Sequence, residues 1–185
     1  MDAFESLVSE ILWREGYWVR SSLKVELTKE EKAAIGRPTA PRWELDLVGY
    51  RGQWNELLVV ECKSYLDSPG VQFSAFNGSN YKLASRYKLF NEKRLWKIVQ
   101  QRLCQQLAES GLIQARPRVS LALVCGKIIG ETDRRLLQRH FKKNGWLLWD
   151  ERWLRVKLGE MSRGGYENSP VAVVAKLLLR RAVFE

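Results

Sequence analysis

Histidine is almost missing from this chain, with His140 the only one. A histidine-rich metal centre is therefore excluded and a Ser-His-Asp triad is disfavoured, so acid–base chemistry falls to carboxylates, lysine or a metal ion. Cysteine is scarce as well. Cys62, Cys104 and Cys125 are odd in number and widely spaced, giving neither a disulfide framework nor a zinc pattern, and they read as reduced core thiols. No stretch approaches the roughly 18 consecutive apolar residues of a membrane span. The opening "MDAFESLVSEIL" carries acids where a signal peptide carries a basic segment, so the expectation is a cytoplasmic protein that meets no membrane.

Acid is in deficit too: 21 Asp and Glu face 31 Lys and Arg, a net charge of +10. Such an excess favours polyanions, because each neutralised phosphate releases condensed counterions. Between Lys82 and Arg102 the chain offers Lys82, Arg86, Lys88, Lys93, Arg94, Lys97 and Arg102 against Glu92 alone. A second cluster follows at Arg134, Arg135, Arg139, Lys142 and Lys143. A solvated helix face explains such runs as readily as nucleic-acid binding, so charge alone does not decide. The 185 residues, 45% hydrophobic and 28% charged, suit a soluble globular chain of one domain, or of one domain with a small appendage. No internal repeat or low-complexity tract is present.

Phe4, Leu7, Val8, Ile11 and Leu12 recur at helical spacing over 3–15, and Gly16 follows as a stop. Residues 17–27 read as a strand, and Thr28 with Glu31 has capping-box spacing for a short helix before Gly36. Two strands, 43–51 and 55–63, flank the turn candidates Gly52 and Gln53. A loop-rich stretch leads to a helix over 91–109, and the apolar run 118–126 is a buried strand. Thr132 caps a helix to about Lys143, "GWLLWD" supplies a last strand, and two helices follow, the second capped by Ser169 ahead of Pro170. The expected fold is α/β, a mixed central sheet with helices packed on it. Its expected division is 1–158 as the main domain and 159–185 as a linker and C-terminal helix, packing on the core or on a partner subunit.

The segment "WELDLVGYRGQWNELLVVECKSY" (43–65) carries the chemistry. Glu61 and Lys63 alternate onto one strand face and Cys62 points to the other. With Gly52 and Gln53 at the turn centre, Glu61 lies opposite Glu44 and diagonal to Asp46; with Gln53 and Trp54, it lies opposite Asp46. Either register puts two carboxylates about 4.5 to 8 Å apart. At about 5 Å they repel by roughly 3 kcal/mol at an effective dielectric of 20. A proton or a cation must relieve that, and oxygen donors suit Mg²⁺ or Mn²⁺. Lys63 beside such an ion can orient or deprotonate water and offset charge developing on a phosphate. A salt-bridged strand end without chemistry is the usual account of a lone E-x-K. Here a facing Asp, a "LLVV" run, an acidic first helix and a basic chain accompany it.

Asp46, Glu61 and Lys63 within "ELDLVGY" and "VVECKSY" resemble the PD-(D/E)xK nuclease superfamily, whose restriction-endonuclease-like fold has an α-β-β-β-α-β core. "FESLVSEILWREGYWVRSS" is similar to the first helix and strand of Holliday-junction-resolvase-like members, and methyl-directed restriction endonucleases also look alike. The resemblance covers roughly residues 3–126. It implies a metal held by Asp46, Glu61 and the Cys62 backbone carbonyl, Glu5 reaching that metal through water, and Lys63 catalytic. Glu10 competes with Glu5, and Glu44 can share or replace Asp46; Leu45 stands where the nominal motif has Pro. Gln72 lies where some relatives use a Gln, although a polar loop residue also explains it. Asp67 and Ser68 border the loop after Lys63, and Trp146, Trp149 and Trp153 are stacking or core residues.

The expected function is a Mg²⁺- or Mn²⁺-dependent deoxyribonuclease hydrolysing phosphodiesters, an endonuclease in preference to an exonuclease, in repair, restriction or mobile-element defence. Lys82, Arg86, Lys88, Lys93, Arg94 and Lys97 would position the DNA backbone. A homodimer, or a protein partner supplying target specificity, is compatible with the chain. The alternative is a non-catalytic nucleic-acid-binding or assembly module on the same fold. A hydrolase of RNA or nucleotides at the same metal site is a third reading.

Overall fold

Helix α1 (Ala3–Arg14) starts at a reciprocal capping box. The Glu5 N–H donates to Asp2 Oδ1 at 2.8 Å, and the Asp2 N–H donates back to Glu5 Oε2 at 3.2 Å. Gly16, at φ +85°, turns the chain into strand β1 (Trp18–Val25), because that backbone region carries no Cβ penalty for glycine. The Thr28–Glu31 box likewise opens α2 (Lys29–Ala34). A computed structural model describes residues 2–39, 42–165 and 167–179.

Strands β2 (Trp43–Arg51) and β3 (Glu56–Lys63) follow, then short helices α3 (Tyr81–Ala84) and α4 (Lys88–Asn91) and the long α5 (Lys93–Glu109). Strand β4 (Arg118–Cys125), helix α6 (Glu131–Asn144), strand β5 (Leu147–Trp149) and helices α7 (Glu151–Arg163) and α8 (Pro170–Leu179) follow. The five strands form one open sheet in sequence order. β1–β2 and β2–β3 are antiparallel, whereas β3–β4 and β4–β5 are parallel, so the fold is α/β with a mixed sheet.

Each sheet face buries its own core. Leu95, Val99, Leu103 and Leu107 form one stripe of α5 and pack with Leu137 and Phe141 of α6 on Leu57, Val59, Leu121 and Leu123. Full burial of such side chains stabilises by about 1.5–3 kcal/mol each. On the opposite face Val8, Ile11 and Leu12 of α1 pack with Leu154, Met161, Ala172 and Ala175 on Leu58, Val60, Ala122 and Val124. α8 thus covers the core with its alanines while Val174, Leu177 and Leu178 stay exposed.

Several sequence expectations shift. The helix expected over 91–109 is broken at Glu92, whose backbone leaves the helical region (φ −110°, ψ 85°) and whose carboxylate pairs with Arg37 at 2.7 Å. α6 starts two residues earlier than expected, with Gly130 at the cap and Thr132 inside the first turn. The Asp133 carboxylate meanwhile accepts the Phe73 N–H at 2.6 Å. α7 continues through Arg163, so the start of the 159–169 linker is helix, held by Met161 in the core. Cys62 and Cys125 are buried, Cys104 is half-buried, and all are free thiols. Among the described residues no helix is long and apolar enough to cross a membrane.

Candidate active site

The β2–β3 ladder pairs Arg51 with Glu56 through Leu47 with Val60, and this register continued by one pair sets Asp46 opposite Glu61. The turn is a 3₁₀ stretch, Gly52–Trp54, closed by Asn55 in the left-handed region at φ 45°. Of the two registers legible in the sequence, the Gln53–Trp54 turn centre is the one formed. Beyond Val60 the Asp46 carboxylate breaks into the ladder, its Oδ2 accepting the Cys62 N–H at 2.7 Å. The next carbonyl, that of Lys63, accepts the Gly126 N–H on the β4 side at 3.0 Å. By strand alternation the Cys62 carbonyl therefore faces β2, alongside Asp46.

A local irregularity places Asp46. In β1–β2 the paired residues run from Trp18 with Tyr50 to Val25 with Trp43, skipping Ser22, which would face Asp46. Ser22 has φ +49°, a costly conformation for a residue with a Cβ. Both strands change faces at this point. Leu47 packs in the α1-side core and Leu45 in the α5-side core, and Val19 and Leu23 differ in the same way. Residues two apart in a regular strand share a face, so the kink at Ser22 and Asp46 turns this carboxylate out of the regular pattern.

The Lys63 ammonium donates to Glu61 Oε1 at 2.6 Å, and their side chains are 22% and 18% exposed. Burial, chiefly, pushes the Glu61 carboxyl above its ordinary range; Lys63 opposes this, and Asp46 and Glu5 reinforce it. Glu5 is raised by burial and by Asp46, partly offset by the Asp2 backbone bond. Burial works against the Lys63 ammonium, yet Glu61 and Asp46 hold its affinity for a proton above the usual lysine range. Asp46, Glu61, Lys63 and Glu5 therefore lie within electrostatic reach of one another.

The remaining candidates separate. Glu10 turns to Arg14 at 3.6 Å. Glu44 is exposed and opposite Lys24. Gln72 lies across the loop after β3, its Oε1 accepting from Ser74 Oγ at 3.5 Å. Lys82, Arg86, Lys93, Arg94 and Lys97 are exposed and Lys88 is half-buried. Arg102 is taken by Glu31 at 3.0 Å. Arg134 is buried and paired with Asp150, Glu151 and Glu131, so it leaves the second basic cluster. Arg135, Arg139 and Lys142 line an open groove along α6. Trp146 packs in the core with His140, and Trp149 stacks on Trp153 at 4.6 Å; the exposed tryptophans are Trp13, Trp18 and Trp54.

Among the described residues no three His, Cys, Asp or Glu side chains are gathered closely enough to hold a metal ion. The donor types nevertheless fit Mg²⁺ or Mn²⁺: the second oxygens of Asp46 and Glu61 and the Cys62 carbonyl are all hard oxygen donors. Beside the larger effect of burial, the negative charges of Asp46 and Glu5 also push the Glu61 carboxyl upward. The sequence reading passed over two residues, Tyr65 and Tyr87. The Tyr87 hydroxyl donates to that of Tyr65 at 3.3 Å. The only signal was the aromatic ending of "ECKSY". Compared with protein-family models, curated proteins and solved structures, the chain matches none.

Proposed function

We propose that this chain is a metal-dependent deoxyribonuclease of the PD-(D/E)xK type. The observation carrying this reading is the Asp46–Glu61–Lys63 group at the end of β3, with Asp46 diverted from strand pairing onto the Cys62 N–H and Lys63 bound to Glu61. The element order α1-β1-β2-β3-α5-β4 around it supports a restriction-endonuclease-like core, and the exposed cations from Lys82 to Lys97 supply a surface for a phosphate backbone. Asp46, Glu61 and the Cys62 carbonyl would hold Mg²⁺ or Mn²⁺. Such an ion supplies Lewis-acid stabilisation of charge on the phosphate and a more acidic water.

The protein's own groups have distinct parts. Asp46 and Glu61 bind, and the Cys62 N–H fixes the Asp46 rotamer. Lys63, protonated in this arrangement, donates to the phosphate or orients water. Glu5, in the first turn of α1, lies within electrostatic reach of Asp46. Backbone contacts of this kind position DNA without reading its sequence.

The test is Mn²⁺-dependent cleavage of plasmid, single-stranded and four-way-junction DNA by wild type, Lys63→Ala and Asp46→Ala. Cleavage by wild type and its loss in both folded variants is the expected result. An inert wild type on every substrate removes the proposal. Salt-sensitive DNA binding without cleavage, unchanged by Asp46→Ala, would instead establish the non-catalytic module. That reading is favoured by one feature: Lys63 already neutralises Glu61.

A further inference from the structure

The loop leaving β3 is fixed in place. Gly126 passes so close beneath it that a Cβ there would lie 2.1 Å from the Ser64 carbonyl oxygen. Gly70, at φ +99°, leaves no room for a Cβ, which would meet the Lys127 carbonyl at 2.8 Å. Val71 then donates to Lys127 O at 2.9 Å, and Ile129 donates to Val71 O at 3.1 Å. Tyr65 itself stands at φ 44°, a strained conformation that an aromatic residue keeps only where its surroundings enforce it.

Behind this loop is a cavity of about 130 Å³ whose walls include Tyr65, Ser68, Gln72, Arg86 and Tyr87. It has the volume of about four waters at ~30 Å³ each, which is room for a phosphate group and well short of the roughly 300 Å³ at which small-molecule sites begin. No carboxylate lines it. Arg86, Tyr65 and Gln72 bring donor groups to it. The Arg86 guanidinium lies against the Tyr65 phenol. Tyr87 donates to the Tyr65 oxygen, which leaves the Tyr65 proton to point elsewhere. Gln72 Oε1 accepts from Ser74 Oγ at 3.5 Å, and its amide nitrogen is a donor. Ser68 Oγ is spent within the loop, on the Tyr65 carbonyl and the Gly70 N–H, both at 3.4 Å. The cavity borders the candidate active site along the chain, since Tyr65 is two residues past Lys63 at the end of β3.

We infer that the Tyr65–Gln72–Arg86 cavity is a phosphate subsite, seating a phosphate next to the one attacked and so setting the register of the strand on Lys63. The inference rests on the nuclease reading. The phosphate belongs either to the continuous backbone or to a 5′ terminus.

The test is the affinity of a short 3′-labelled duplex, with a 5′-phosphate or a 5′-hydroxyl, followed against salt in EDTA so that no bond is cut. Tyr65→Phe keeps the ring and removes one donor to a charged group; binding is expected to weaken about tenfold with the salt slope unchanged. Arg86→Gln is expected to weaken binding and to lower the slope of log K against log salt by about one. Equal losses on both duplexes assign a backbone phosphate, and losses confined to the 5′-phosphate duplex assign a terminal one. The subsite is overturned if Tyr65→Phe binds as wild type, whatever Arg86→Gln does, since an exposed arginine on a basic surface needs no cavity. If cleavage by wild type still depends on Asp46, the nuclease reading survives that result. If wild type neither binds nor cuts DNA, both fall together.

Discussion

Replacing Arg134 by methionine keeps the aliphatic bulk and removes a guanidinium only 5% exposed. That group ties the start of α6 to the β5–α7 junction by pairing with Asp150 and Glu151, and with Glu131 at 3.3 Å. Taking one partner from a buried pair leaves an uncompensated charge, at about 3–5 kcal/mol. The Asp150 carboxylate keeps two donors, the Arg152 and Trp153 N–H groups at 3.0 and 3.2 Å, so the lower figure of about 3 kcal/mol applies. For a chain of this length that lowers Tm by about 6–12 °C. Thermal unfolding followed by circular dichroism reads it directly. Asp150→Asn keeps the helix cap while removing the stranded charge, so the double variant should recover at least about 1 kcal/mol of the loss. A fall below about 2 °C for Arg134→Met, or strict additivity in the pair, would refute the reasoning.

Lys63→Met removes the cation that opposes the upward shift of Glu61. A carboxyl raised in the folded state stabilises below its unfolded value and loses that contribution as pH rises through the folded one. The variant should therefore lose stability relative to wild type as pH climbs from the ordinary 4.5; urea titrations showing a pH-independent difference would contradict this. Mn²⁺ should raise Tm in wild type and not in Asp46→Asn, by the mass action expected of a ligand for the folded state, about 2.7 kcal/mol at a hundredfold excess over Kd. Differential scanning fluorimetry with equal shifts in both proteins would count against the ligand assignment. Gly126→Ala forces a Cβ onto the Ser64 carbonyl and should destabilise by about 1–3 kcal/mol, so an unchanged denaturation midpoint would mean that the loop yields.

The hairpin, α1 with its Gly16 stop, the Thr28–Glu31 box and β4 were legible because each depends on local spacing or a capping side chain. Side-chain facing near Asp46 was not. Alternation was assumed through β2, whereas the positive φ of Ser22 and the diversion of Asp46 to Cys62 reverse it there. A serine in that conformation leaves no mark in the pattern, since the register is the same on both sides of the kink. Arg134 was misplaced for a similar reason: Arg135 and Arg139, the cations that follow it, are exposed, and its partners Asp150 and Glu151 arrive from the start of the next helix. The break at Glu92 reflects a tertiary contact with Arg37, beyond the reach of periodicity.

The sheet order also constrains how the chain assembles. β2 and β3 are joined by the short Gly52–Asn55 turn and can pair soon after they are made, bringing Asp46 and Glu61 together early. The parallel partner of β3 begins only at Arg118, so the whole excursion from Ser64 must close before β4 docks. Until then the "LLVV" edge of β3 has no neighbour on that side, a row of open amides and carbonyls beside strongly apolar side chains. Refolding yield should therefore depend on protein concentration, with the strand that bears Glu61 and Lys63 as the segment most exposed to another chain.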